Sequence, residues 1–201
     1  KHIKSPKIGS KIPEILTVQE VDLMIASIDL SQENGERNRA IIECLYSCGL
    51  RVSELVSLKI SNIEYDDNII KVIGKGNKQR IVPLSNTLHK YLKNYIQHIR
   101  SKQNPNKENI DIVFLNRRNK KISRVMIFNI IKKQTNLAGI KKNVSPHTLR
   151  HSFATHLVEG GADLRVVQEM LGHANITTTE IYTHLNNQYL REEIINYHPR
   201  S

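Results

Sequence analysis

Residues 112–158 contain ten Lys and Arg and no acid at all. A stretch of that kind cannot neutralise itself. It must expose its bases, lean on acids elsewhere in the chain, or meet a polyanion. Extending it back to residue 68 gives nineteen bases against two acids. The flanks are the reverse, with ten acids against four bases in 20–67 and six against three in 159–201. The formal charge of +11 is therefore concentrated in the middle of the chain. A phosphate-tracking surface is the expectation, with nucleic acid the first partner and an anionic membrane the second. The competing reading is an unevenly charged solvated surface.

Helix signals dominate the rest. Thr17-Val-Gln-Glu20 is a capping box, followed by Val21, Ile25 and Ile28 at helical spacing. A second helix is predicted over 36–47, with Ala40, Ile41, Cys44 and Leu45 as its apolar face, and a short third over 52–58. Residues 69–73 and 80–82 are β-rich runs separated by Gly74-Lys-Gly-Asn-Lys78, a hairpin with a basic turn. Residues 86–101 and 123–137 read as helices, and 112–115 as one more strand. Ser145-Pro146 opens the next helix, which ends at Gly160-Gly161; helices over 164–171, 176–183 and 187–196 complete the chain. No linker or repeat divides the chain. The expectation is one mainly α domain with a small antiparallel β-sheet (α+β), spanning 13–185, with 1–12 a basic linker and 186–201 a tail helix.

Several classes are disfavoured. No apolar run approaches the ~18 residues of a membrane span, and the basic start of the chain has no secretory h-region. Cys44 and Cys48 form no CxxC pair, so neither a disulfide scaffold nor a cysteine zinc module is expected, and a reducing cytosol fits. The chemistry-bearing segment is Ser145-Pro-His-Thr-Leu-Arg-His151. His147 falls in a first helical turn, where free N–H groups favour an anion and a neutral imidazole that can act as a base. Arg150 lies three residues on, on the same face, where its fork can grip phosphate oxygens. His147 and His151 are also spaced for a metal, but no acid stands between them and Arg150 would sit beside the ion. Arg51, with Glu54 three residues on to hold it, and Lys75 on the hairpin turn are further phosphate candidates. Composition and periodicity single out none of the seven tyrosines.

Four motifs in order change that. They are Cys48-Gly-Leu-Arg51-Val-Ser-Glu54-Leu, Gly74-Lys75-Gly-Asn-Lys78-Gln-Arg80, His147-Thr-Leu-Arg150-His151, and Leu171-Gly-His173 followed by Thr-Thr-Glu-Ile-Tyr182-Thr-His. With this order and spacing, from about Thr17 to Ser201, the chain resembles the catalytic domain of the tyrosine recombinases (the λ-integrase family), in particular the Xer branch. The resemblance implies that Arg51 and Arg150 clamp a scissile DNA phosphate and that Lys75 protonates the leaving 5′-oxygen. It implies acid–base work for His147, a phosphate contact for His173, the nucleophile for Tyr182, and support of the first arginine for Glu54. Lys71, Lys78, Arg80, Arg117, Arg118, Lys120, Lys121 and Arg124 are the expected DNA-binding bases. No metal or other cofactor is expected, since two arginines, a lysine and histidines meet the developing charge.

The implied partners are a double-stranded recombination site, a partner recombinase in a synaptic tetramer and an FtsK-like translocase, in a nucleoid-associated cytoplasmic setting without membrane insertion. The tail is expected either to pack into a neighbouring subunit or to fold back, through Leu185, Tyr189, Leu190, Ile194 and Ile195. Asn62 stands where many relatives carry Asp, and Glu180 where Gln is common. The family's N-terminal DNA-clamping domain has no counterpart in this stretch, so the resemblance implies an isolated catalytic fragment. A type IB topoisomerase, a mobile-element integrase and a non-catalytic DNA-binding module remain the alternatives.

Overall fold

The structure is a computed structural model that describes residues 14–74, 79–172 and 184–201, the last segment with side chains from 188 onward. Its first helix, α1 (Val18–Ala26), starts as the capping box requires: Glu20 N–H donates to Thr17 Oγ1 at 3.1 Å, and Thr17 N–H to the Glu20 carboxylate at 2.7 Å. Helix α2 (Gly35–Ser47) differs from the amphipathic expectation. It is buried on nearly all sides, because α1, α3 (Val52–Val56), α4 (Asn86–His98), α5 (Arg124–Leu137) and α6 (Pro146–Gly160) all pack against it. Burial pushes the thiols of Cys44 and Cys48 well up, so both are core residues rather than reactive ones.

The sheet has three antiparallel strands in the order β1 (Ile63–Glu64), β2 (Ile69–Ile73), β3 (Gln79–Pro83). Ile70 pairs with Val82 and Val72 with Arg80. On β2, Ile70 and Val72 face the core while Lys71 and Ile73 face out. The hairpin is as expected, and β1 is too short to announce itself. The expected strand at 112–115 is a correction: only isolated bridges form there, Lys59 with Ile112 and Leu115 with Lys121. The run is buried, but buried side chains take its carbonyls. Arg100 Nε donates to Ile112 O (2.9 Å), Tyr95 Oη to Val113 O (3.1 Å) and Arg37 Nη1 to Leu115 O (2.9 Å). Side chains thus take one lone pair of three carbonyls along the run, and its backbone pairing stays limited to isolated bridges.

In the C-terminal half, Ser123 caps α5, Ser145 caps α6 with Pro146 at the first position, and Asp163 caps α7 (Leu164–Leu171). The expected helix over 176–183 lies outside the described residues. The last helix, α8 (His184–Tyr197), folds onto α6, α7 and β3 of its own domain. Leu190 and Ile194 are buried in that contact, whereas Tyr189 and Ile195 are exposed. Beyond it, Arg200 binds the buried Glu43 carboxylate and Asp22, and His198 enters the core beside Tyr46 and Phe153.

Candidate active site

Arg51 is the N-cap of α3, in extended backbone conformation. Three residues on, Glu54 turns back to it. One carboxylate oxygen accepts from Arg51 N–H at 2.7 Å and the other from Arg51 Nη1 at 2.9 Å. The Arg51 side chain stays 37 % exposed while that of Glu54 is 3 % exposed. Glu54 is thus a buried post and Arg51 a tethered but accessible guanidinium.

Arg150 reaches the same place from α6. Its Nη1 donates to Gly49 O and its Nη2 to Leu171 O at 2.6 Å. Gly49 is required there: it has φ of +55°, and a Cβ would lie 2.5 Å from Phe153 Cδ1. Arg80 arrives from β3, donating through Nε to Met170 O at 2.6 Å. Arg51 Nη2 faces Gly172 O at 3.3 Å. The result is that three arginines cap three successive carbonyls at the C-terminal end of α7, where helix carbonyls lack internal partners and carry negative partial charge.

Among the described residues the charge balance is uneven, with three guanidiniums around one carboxylate. Burial would push Glu54 up, but the hydrogen bonds and charges of Arg80, with the Arg51 contacts, hold it below the usual carboxylate range. Burial and the like charges of Arg51 and Arg80 pull Arg150 down to about 10, so it is still a cation at neutral pH. The surplus positive charge of the described residues is of the kind that favours an anion, and Arg51 and Arg150 are the partly accessible members. His147 lies exposed in the first turn of α6, three residues before Arg150.

The structure therefore brings Arg51, Glu54 and Arg150 together. Lys75, Lys78, His173 and Tyr182 lie outside the described residues. Described residues bracket them: Gly74 and Gln79 flank the hairpin turn, and Gly172 and His184 flank the segment with His173 and Tyr182. Among the expected DNA-binding bases, Arg117, Arg118, Lys120, Lys121 and Arg124 are exposed on the loop before α5 and its first turn. Arg117 lies 4.0 Å from Glu33, and Lys121 Nζ donates to Ser57 Oγ at 3.2 Å. Lys71 is exposed and paired with Glu64. Arg80 is a correction: it is 5 % exposed and committed to Glu54 and Met170 O, so it faces no solvent. A sequence signal was available. Two-residue parity puts Arg80 on the same face as Val82, opposite the inward Val72. The carbonyls of Gly49 and of residues 170–172 left no such signal.

An α-rich domain with a three-stranded antiparallel sheet and two partly accessible arginines beside a buried carboxylate has the fold of integrase catalytic domains. The chain belongs to the phage integrase family, whose family model matches residues 14–189. It is 45% identical over 199 residues to the tyrosine recombinase XerD of Staphylococcus haemolyticus and 46% identical to that of Staphylococcus aureus, covering 99% of this chain and 67% of each relative. Among solved structures it matches the XerA recombinase (31% identity, TM-score 0.73). It also matches the XerH site-specific recombinase, bound to a palindromic difH substrate in a post-cleavage complex (31%, TM-score 0.74). Both alignments cover 94% of this chain, but only 61% and 54% of those proteins. These relatives put it on the Xer branch of the tyrosine recombinases.

Proposed function

We propose that this chain is the catalytic domain of a site-specific DNA recombinase that cuts and rejoins strands through a 3′-phosphotyrosyl intermediate, in chromosome-dimer resolution. The observation that carries the reading is the pair Arg51 and Arg150, tethered at one surplus-positive site with His147 on the same helix as Arg150. Two guanidiniums can bind both non-bridging oxygens of a phosphodiester and stabilise the charge that grows on them. In this reading Tyr182 Oη attacks phosphorus and the bond to the 5′-oxygen breaks. His147 takes the phenolic proton, Lys75 protonates the departing 5′-oxygen, and His173 contacts the phosphate. Attack by a 5′-hydroxyl of a second duplex on the phosphotyrosine reverses the step and exchanges the strand. The phosphodiester energy is conserved in the covalent bond, so no ATP is needed.

The exposed bases at 117–124, with Lys71 and Lys78, would follow the DNA backbone. Partner subunits of a synaptic tetramer and an FtsK-like translocase belong to the same proposal, as does a nucleoid-associated cytoplasmic location. So does exchange of the tail from 186 onward between subunits in place of the contacts it makes on its own domain. No described helix is long and apolar enough to cross a membrane.

The test uses nicked duplexes carrying the recombination site of the protein's own chromosome, with partner recombinase added or withheld. A covalent protein–DNA adduct is expected, and Tyr182→Phe should abolish it. An adduct that survives Tyr182→Phe would remove Tyr182 as nucleophile. Retardation of DNA with no adduct would favour a non-catalytic binding module, and relaxation of plasmids lacking any such site would favour a topoisomerase.

A further inference from the structure

From the Arg80–Glu54 geometry we infer that Arg80 is a positioning residue: it occupies the Glu54 carboxylate so that Arg51 stays free to grip the phosphate. The inference rests on the recombinase reading above and adds a residue that never meets the DNA.

Arg80 Nη1 donates to Glu54 Oε1 at 2.6 Å and Nη2 to Oε2 at 2.9 Å, a bidentate fork. Both groups are buried, Arg80 with 6 % and Glu54 with 3 % of the side chain exposed. Arg51 approaches the same carboxylate from the side. Among the described residues it holds Oε1 through Nη1, and its Nη2 makes the long 3.3 Å contact to Gly172 O. A carboxylate prefers a forked partner, and Arg80 fills that role. Without Arg80 the forked face would open to the guanidinium three residues away. Arg51 would turn both Nη groups onto Glu54 and release its grip on a phosphate.

Charge leads to the same place. Arg80 and Glu54 neutralise each other inside the protein, leaving Arg51 and Arg150 as the surplus offered to an anion. Without Arg80, Glu54 would cancel Arg51 instead.

The same side chain ties three motif-bearing segments together. It starts on β3 paired with Val72, one rung in from the Ile73–Gln79 pair that lies nearest in sequence to Lys75. It holds Glu54 on α3. Through Nε it holds Met170 O, and its Cδ lies 3.0 Å from where a Cβ of Gly172 would be, immediately before His173.

The experiment compares three variants with the unaltered chain on the nicked duplex that the latter cleaves. DNA affinity, adduct rate and thermal melting are read together. Arg80→Lys keeps the charge but loses the fork; its adduct rate should fall at least about tenfold with DNA affinity within about twofold. Arg80→Met should fall by about 10²-fold or more. Glu54→Gln/Arg80→Met removes the competing carboxylate as well, and should be faster than Arg80→Met alone. A merely structural role would give no such recovery. A wild-type rate in Arg80→Lys would overturn the proposal, and so would a double variant no faster than Arg80→Met.

If Arg80→Met does not fold, the Lys variant still decides. If the unaltered chain forms no Tyr182 adduct, the recombinase reading fails, and the Arg51 relation is read separately. In ¹⁵N-arginine NMR, the Arg51 guanidinium N–H signals should become more protected from exchange in Arg80→Lys. Unchanged protection would overturn the inference.

Discussion

Gly49→Ala links the stability of the core to the geometry of the site. The residue has φ of +55°, and an added Cβ would sit 2.5 Å from Phe153 Cδ1, 2.9 Å from Cε1 and 3.0 Å from Leu171 Cδ2. Two costs add. Left-handed backbone with a side chain costs about 1–2 kcal/mol. Forcing a methyl into a packed core costs about 1–3 kcal/mol. The Phe153 ring is fully buried and cannot swing into solvent. A loss of about 2–5 kcal/mol is expected, or roughly 4–20 °C in melting temperature for a chain of this size. Gly139→Ala is the internal reference. It has φ of +69° with nothing within 4 Å of its Cβ, so it should show the backbone cost alone, about 1–2 kcal/mol.

Paired urea melts of the two variants isolate the steric part as the difference between them. The functional consequence follows from Gly49 O, which accepts from Arg150 Nη1. If the peptide shifts to relieve Phe153, Arg150 moves with it, and adduct formation should fall further than DNA affinity. Equal losses of stability at the two positions would refute the packing argument. An unchanged adduct rate despite a large loss at Gly49 would refute the coupling to Arg150.

Neutralising Arg117, Arg118, Lys120 and Lys121 should flatten the salt dependence of DNA binding by about 0.9 for each phosphate that these bases had neutralised. An unchanged slope in retardation titrations would make that loop ordinary solvated surface. Burial, with the nearby His156, pulls His198 down to about 3, while Arg200 N–H donates to its Nδ1 at 3.1 Å. Because the folded value lies below the ordinary value of 6.5, the unfolded chain takes up the proton first. The stability is fully present above pH 6.5 and is lost progressively as pH falls toward 3. His198→Asn should flatten the pH dependence of melting in that window, and an unaltered profile would count against the tail as the acid-sensitive contact.

Local chemistry was legible wherever a few neighbouring residues decide the outcome. The box at Thr17–Glu20, the Ser145-Pro146 start and the β2–β3 hairpin could all be read in advance, because caps and alternation act over three or four residues. The 112–115 run was misread because its fate depended on Arg37, Tyr95 and Arg100, distant in sequence, claiming its carbonyls. Arg80 was misread because its place beside a basic turn outweighed the strand parity that puts it on the face of Val82.

By itself, then, the chain's sequence determined most of the described helices, its hairpin, the central bank of positive charge and the residue types of the site. Tertiary structure decided which charges are available. Arg51, Arg80 and Arg150 are chemically alike on paper, yet Arg80 is buried against Glu54 while Arg51 and Arg150 stay partly accessible. The same packing folds α8 onto its own domain and pins Arg200 to Glu43. The physical reason is that capping and alternation are set by neighbours along the chain. Burial, and with it the effective charge of a side chain, is set by elements that meet only after folding.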